Sequence, residues 1–154
     1  MPSLAPAADI KTLMVRSTAF ENKGPVPVNY TCDGKNINPP LNIDGIRTDA
    51  VSLAIIMDDP DAPLHTWTHW LVWDIPVTHH LEENTTKGIQ GINDFKKSMY
   101  SGPCPMSGSH RYVWRVYALD TSLKLKKGST RKELESAMAG HIIGYGELMG
   151  LYKY

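Results

Sequence analysis

The apolar residues of this chain fall into short runs broken by turn residues, a pattern that predicts strands. Ala50 to Met57 reads Ala-Val-Ser-Leu-Ala-Ile-Ile-Met, which suits a strand buried on both faces. His69 to Ile75 alternates large residues and stops at Pro76. Tyr112 to Leu119 is rich in aromatic and β-branched side chains, which fit a pleated, half-buried surface. Leu13-Met14-Val15 is a shorter candidate. Between these runs lie Asn22-Lys23-Gly24-Pro25, Asp33-Gly34, Asn38-Pro39-Pro40, Asp44-Gly45 and the Pro/Gly-rich stretch from Gly102 to Gly108, all turn signals. One segment has helical spacing. Ser129 or Thr130 can cap it, Glu133 follows Thr130 by three, Leu134, Ala137 and Met138 recur on one face, and Gly140 stops it. Ile142 to Tyr154 mixes glycines with alternating apolar residues and fits a late strand or a short helix. Many strands with one or two short helices predict a mainly β protein, a β-sandwich.

A chain of 154 residues is long enough for a single sizeable core. The expected organisation is a loose tail over 1–11, with Pro2, Pro6 and small residues, and one domain over 12–154. Lys plus Arg and Asp plus Glu both total 16. That balance argues against a nucleic-acid partner and against a polybasic membrane-surface protein. No apolar run approaches the ~20 residues that span a bilayer, so no stable membrane insertion is expected. The N-terminus lacks the basic-then-apolar order of a secretory signal, and a cytoplasmic location is expected. There Cys32 and Cys104 are expected to be reduced thiols; an oxidising compartment or a hyperthermophilic source would allow them to pair.

Candidate chemistry is concentrated in two segments. The first is Asp58-Asp59-Pro60-Asp61-Ala62-Pro63 with Trp67-Thr68-His69-Trp70; the second runs from Tyr100 to Tyr112 and contains Pro103-Cys104-Pro105 and His110-Arg111-Tyr112. On a strand His110 and Tyr112 point to one face, with Cα atoms ~6.5–7 Å apart, close enough to share a ligand. By the same alternation His69 shares a face with Leu71, Trp73 and Ile75, a polar group at the rim of an apolar face. Pro60 and Pro63 stiffen the acidic loop. One of Asp59 and Asp61 is expected to face a ligand while the other is structural, since turn carboxylates also accept backbone N–H bonds. Arg111 lies opposite His110 and is expected to pair with an acid such as Asp61. Pro103 and Pro105 have no N–H, which leaves the Cys104 amide as the local donor for an anionic oxygen. Of Trp67, Trp70, Trp73 and Trp114, most are expected in the core, with one or two rings walling the pocket.

Other chemistries are less well supported. His69, His110 and Asp59 could form a two-His, one-carboxylate metal set, but no His-x-x-x-His or Cys-x-x-Cys spacing supports it, and no metal or other cofactor is expected. Cys104 with His110 resembles a nucleophile–base pair but lacks an orienting third group.

At these residues the chain resembles the phosphatidylethanolamine-binding protein family, which includes the Raf kinase inhibitor proteins, and in particular its smaller bacterial and archaeal branch. Further matching stretches are Tyr30-Thr31-Cys32-Asp33-Gly34, Asn38-Pro39-Pro40-Leu41, Gly91-Ile92-Asn93-Asp94-Phe95, Tyr117-Ala118-Leu119-Asp120 and the ending from Gly140-His141 to Tyr152. The resemblance implies a large antiparallel sheet packed on a smaller one, with a small anion pocket formed by Asp59, His69, His110 and Tyr112 and the Cys104 amide on its rim. Asp61, Arg111, Pro103 and Pro105 would support that site. Two positions depart from the family pattern: Met106 stands where a second proline is usual, and Lys96 where a glycine is common. The longer C-terminal region of the eukaryotic branch is also lacking, so Raf-kinase regulation is not transferred.

The function expected is non-enzymatic binding of a small anion, a phosphomonoester or phosphorylethanolamine-like group. In it the two histidines and Tyr112 donate hydrogen bonds, and Asp59 orients a histidine or takes an amine. An alternative is a serine protease inhibitor acting through surface loops. A hydrolase or lyase ranks last. Dimers occur in the prokaryotic branch, which leaves a homodimer open.

Overall fold

The computed structural model describes residues 9–154. Most of the expected tail, residues 1–8, lies outside the described residues, and Lys11 already belongs to a strand. Among these residues ten strands form two sheets. In chain order they are β1 (Lys11–Thr12), β2 (Met14–Arg16), β3 (Gly24–Pro25), β4 (Leu41–Asp44), β5 (Ser52–Asp59), β6 (Trp67–Pro76), β7 (His80–Leu81), β8 (Ile89–Gln90), β9 (Ser109–Leu119) and β10 (Ile142–Lys153). A 3-10 turn covers Val28–Tyr30, and the helix α1 covers Arg131–Met138. The large sheet runs β1-β10-β9-β5-β6-β8, with β3 also on β10; the small sheet is β2-β4-β7. The central pairings are antiparallel, as expected of the sandwich. The short edge strands β1 and β3 lie parallel to β10.

The pattern of burial explains this layering. Every residue of β5 is buried, because β5 sits inside the large sheet and both of its faces are covered. Leu53, Ile55 and Met57 face the small sheet and share a core with Leu41 and Ile43. Ala54 and Ile56 face the opposite way, onto Leu134 and Met138 of α1. The glycine-rich tail becomes the long strand β10, paired with β9 from Ile142 to Lys153. A strand wins over a helix there because the three glycines of β10 weaken a helix, while all its residues but Ile143 find a ladder partner on β9. The helix starts as its sequence signals indicate. The Glu133 N–H bonds Thr130 Oγ1 at 3.2 Å, and Glu133 Oε1 accepts from the Thr130 N–H at 3.0 Å, a reciprocal cap. Gly140 follows with φ +80°, where a side chain would be strained.

The two cysteines form a disulfide, Cα–Cα 5.5 Å, rather than the expected reduced pair. The physical reason lies in two loops whose proximity the sequence does not display. The Cys32 N–H bonds the Pro103 carbonyl at 3.1 Å, the Gly102 N–H bonds Asn36 Oδ1 at 2.7 Å, and the Tyr100 hydroxyl bonds the Tyr30 carbonyl at 2.8 Å. Gly102 lies so close to the Tyr30 carbonyl that any side chain would collide with it. Those contacts bring the sulfurs together. Closing a loop of separation 72 contributes about 4 kcal/mol in the chain-entropy description. No helix among the described residues is long and apolar enough to cross a membrane.

Candidate functional site

The site grows from the C-terminal end of β5, where two carboxylates follow each other. Successive side chains on a strand point to opposite faces. Asp59 therefore shares the face of Met57 and Ile55, and Asp58 takes the helix-side face. Asp59 is almost fully buried, and its Oδ2 accepts from His110 Nδ1 at 2.6 Å. Its Oδ1 accepts the Asp61 N–H at 2.8 Å. His110 comes from the start of β9, two residues before Tyr112, as the alternation predicts. Asp59 and His110 thus face each other across a short hydrogen bond. Among the described residues no group of three His, Cys, Asp or Glu is arranged to hold a metal ion.

His69 reaches the same place by a less direct route. In the β5–β6 ladder Met57 pairs with Trp70 while Asp58 pairs with Thr68, and the register shifts between them. His69 is the extra residue, a β-bulge that turns its side chain away from regular alternation. It therefore does not share the face of Leu71 and Trp73, which pack with α1. Its ring lies instead 5.3 Å from that of Tyr112 and 5.1 Å from that of Phe95. A second register shift, between Leu53 and Ile55, sends Ile75 to the inter-sheet core as well. The expectation that His69, Leu71, Trp73 and Ile75 share a face fails because two bulges interrupt β6.

Neighbouring residues hold the bulge. The Asn93 side-chain amide donates to the His69 carbonyl at 2.9 Å, and Asp94 Oδ2 accepts the Thr68 N–H at 2.7 Å. The same Asn93 amide donates to Ser101 Oγ at 3.0 Å, and the Ser101 carbonyl accepts from His69 Nδ1 at 2.6 Å. Burial holds the His69 pKa below the ordinary imidazole value, against the opposing pull of the Ser101 carbonyl and the Asp59 carboxylate. His69 is therefore neutral with its proton on Nδ1, and Nε2 carries a lone pair. This differs from the donor role expected for both histidines. Neither Nε2 atom makes a hydrogen bond among the described residues.

Tyr112 lies fully buried behind the two rings. Its hydroxyl is one of two buried side-chain atoms without a hydrogen-bond partner among the described residues, the other being Trp114 Nε1. Burial raises the Tyr112 pKa, and the charge of Asp59 adds to this, while the Cys104 amide opposes it. Leaving such a hydroxyl unpaired costs about 1–3 kcal/mol.

These groups lie at or behind one cavity of about 300 Å³. Asp59, His69 and His110 supply its polar floor. Ala62, Pro63, Trp67 and Phe95 form one wall, and Cys104, Pro105, Met106 and Ser107 the other. Of the four tryptophans only Trp67 walls it; Trp70, Trp73 and Trp114 are fully buried. Met106 is 87% exposed on the rim. Pro103 and Pro105 are buried in the loop that the disulfide secures. Phe95, Asn93 and Ser101 were not singled out from the residue pattern. The one signal they carry is the Asn93-Asp94 pair, which favours side-chain-to-backbone turns.

The other acids hold the scaffold. Asp61 pairs with Arg111 through the Nη2–Oδ1 contact at 2.7 Å and the Nε–Oδ2 contact at 2.9 Å. The pair sits at the surface, and the Arg111 hydrogen bonds hold the Asp61 carboxyl down to about 2. Asp58 has the deeper role. It is fully buried and accepts from Arg115 Nε at 3.0 Å and Arg131 Nη1 at 2.9 Å. It thereby ties β5 to β9 and to the first turn of α1.

The family model for phosphatidylethanolamine-binding protein matches residues 16–153. The chain belongs to the phosphatidylethanolamine-binding protein family. A UPF0098 protein of Pyrococcus horikoshii is 51% identical over 148 residues, covering 89% of this chain and 75% of that protein. One of Methanothermobacter thermautotrophicus is 47% identical over 147 residues, covering 90% and 97%. The crystal structure of a phosphatidylethanolamine-binding protein homolog from Chlamydia trachomatis superposes with TM-score 0.89 at 37% identity, covering 94% of this chain and 99% of that one. YbcL of E. coli, a member of the mammalian PEBP family, superposes with TM-score 0.84 at 26% identity, covering 92% and 98%. The departure at Lys96 has a structural reading: its φ is +63°, a conformation glycine adopts without strain.

Two outcomes follow from this geometry. Asp58→Asn leaves two arginines around a carboxylate that no longer exists, and should lower the unfolding free energy by about 3–5 kcal/mol. Asp61→Asn breaks a surface pair and should cost about 1 kcal/mol or less. Denaturant unfolding of both variants checks this, and an equal loss would contradict the division of roles. For His69 the folded pKa is depressed, so below pH ~6.5 the unfolded chain takes up a proton that the folded chain refuses. The stabilisation is present above that pH and is lost as pH falls through the folded pKa. His69→Phe should therefore flatten the fall of stability as pH drops below about 6.5, and an unchanged slope would contradict a neutral buried His69.

Proposed function

We propose that the cavity binds a small anionic group and that the protein acts by binding, without turnover. The observation that carries this reading is the Asp59–His110 hydrogen bond of 2.6 Å on the floor of a cavity with apolar walls. Asp59 engages Nδ1 and leaves Nε2 for a ligand. In the doubly protonated ring Nε2–H donates to an anionic oxygen, and Asp59 supplies the counter-charge, so the pair accepts an anion without stranding a buried charge. The Cys104 amide on the cavity wall offers a further donor beside it, and the unpaired Tyr112 hydroxyl lies buried behind the rings. Phosphomonoesters and phosphorylethanolamine-like groups fit this chemistry: phosphate oxygens meet the donors, and an amine can approach Asp59.

The same groups favour binding without turnover. Cys104 is bonded to Cys32 and offers no thiol to His110. His69 Nδ1 is tied to the Ser101 carbonyl at 2.6 Å, and no side-chain nucleophile among the described residues is hydrogen-bonded to its Nε2.

The test uses His110→Asn, because an asparagine amide can replace Nδ1 against Asp59 and keep the fold, while nothing replaces Nε2. Calorimetry with phosphorylethanolamine should show a loss of about 1.5–3 kcal/mol, tenfold or more in affinity. Unchanged affinity in a folded variant would overturn the assignment, and release of phosphate from the ligand by the native protein would overturn the absence of turnover.

A further inference from the structure

A second cavity of about 290 Å³ lies on the other side of the Tyr100–Gly102 segment, a volume at the lower end of ligand pockets, about 300–1,000 Å³. Its chemistry differs from that of the first. No charged side chain lines it; its polar groups are the amides of Asn36, Asn38, Asn84 and Gln90 and the hydroxyls of Thr85 and Thr86. Burying an unpaired charge there would be costly, so an uncharged ligand suits it.

The hydrogen-bond network fixes which end of two amides is free. Asn36 Oδ1 accepts the Gly102 N–H at 2.7 Å, and Gln90 Oε1 accepts the Trp70 indole N–H at 2.9 Å. Both partners can only donate, so each amide must present its oxygen to them, and no flipped assignment satisfies the same bonds. The two NH₂ groups, Asn36 Nδ2 and Gln90 Nε2, are left without partners among the described residues. The hydroxyl of Thr86 and the side-chain amide of Asn84 are likewise unengaged. Asn38, in contrast, is fully used: its amide holds the Pro39 and Glu82 carbonyls and its Oδ1 accepts the Thr85 N–H. Asn38 therefore builds the wall. The cavity offers two fixed amide donors, the free Asn84 amide and one freely rotating hydroxyl. An apolar side is supplied by Ile37, Met99 and the rings of Trp70 and Tyr100.

We propose that this second cavity is a binding site for a neutral, hydroxylated ligand of monosaccharide size. Its hydroxyl oxygens would accept from Asn36 Nδ2 and Gln90 Nε2, its hydroxyl protons would go to the Asn84 amide oxygen and Thr86, and its C–H face would lie on the apolar side. A lone carbonyl compound would satisfy one donor and leave the others idle, whereas vicinal hydroxyls can meet several at once.

The test is ligand titration of the native protein followed by the side-chain NH₂ resonances of Asn36 and Gln90, with glucose, mannose, N-acetylglucosamine and myo-inositol as probes. At least one probe should shift both amides in a saturable way. Gln90→Glu and Asn36→Asp each keep an oxygen to hold Trp70 or Gly102 and replace the free NH₂ donor with a charged carboxylate oxygen that cannot donate to a hydroxyl oxygen. Each should weaken that probe at least tenfold while leaving the melting temperature and phosphorylethanolamine binding in the first cavity unchanged. The proposal is overturned if no probe shifts these amides at high millimolar concentration. It is equally overturned if folded variants bind the probe as the native protein does, or if N-methylacetamide or glucuronate binds more tightly than every neutral sugar.

Discussion

Two adjacent acids at the buried end of a strand each need a counter-charge, and the strand sends them to opposite faces. That constraint organises the molecule around the β5 terminus. Asp58 is neutralised on the helix side by Arg115 and Arg131, which fastens β9 and the start of α1 to β5. Asp59 is met on the inter-sheet side by His110. A buried carboxylate without such partners would cost several kcal/mol. The fastening of the sheet and the geometry of the pocket are consequences of the same two residues.

The pocket then needs His69 on the face of Asp59, and regular pairing would put it on the face of Asp58. The bulge resolves this conflict. It uses one extra residue of β6, and the backbone groups it disturbs are recovered by Asn93 and Asp94. The Ser101 carbonyl then fixes the ring through Nδ1. The disulfide and the hydrogen bonds around Gly102 hold the opposite lip. Rigid elements therefore position the cavity from both sides, as a preorganised site requires.

Much of this was legible in the sequence where the cause is local. The run Ala50–Met57 is buried on both faces because it is apolar throughout. The Thr130–Glu133 cap is formed as its spacing suggests. His110 and Tyr112 lie on one strand, and Arg111 pairs with Asp61. What was not legible depends on distant partners. Nothing near His69 announces a bulge, because its cause lies at Asn93 and Asp94. The Cys32–Cys104 bond depends on loops brought together by Gly102 and Asn36, and a general expectation for intracellular thiols pointed the other way. The weight carried by Asp58 rests on Arg131, which belongs to a helix far along the chain. The alternative of a loop-based protease inhibitor drew on no local pattern at all.

In the proposed function the two histidines divide the labour: His69 is a fixed, neutral, Nδ1-protonated ring, and His110 would meet the anion. Nitrogen-detected NMR of the imidazole rings, with and without inorganic phosphate at constant pH, tests this directly. His69 should show a protonated Nδ1 and a bare Nε2 in both states, while the His110 Nε2 resonance should move as phosphate saturates. A shift confined to His69, with the His110 ring unmoved, would contradict it.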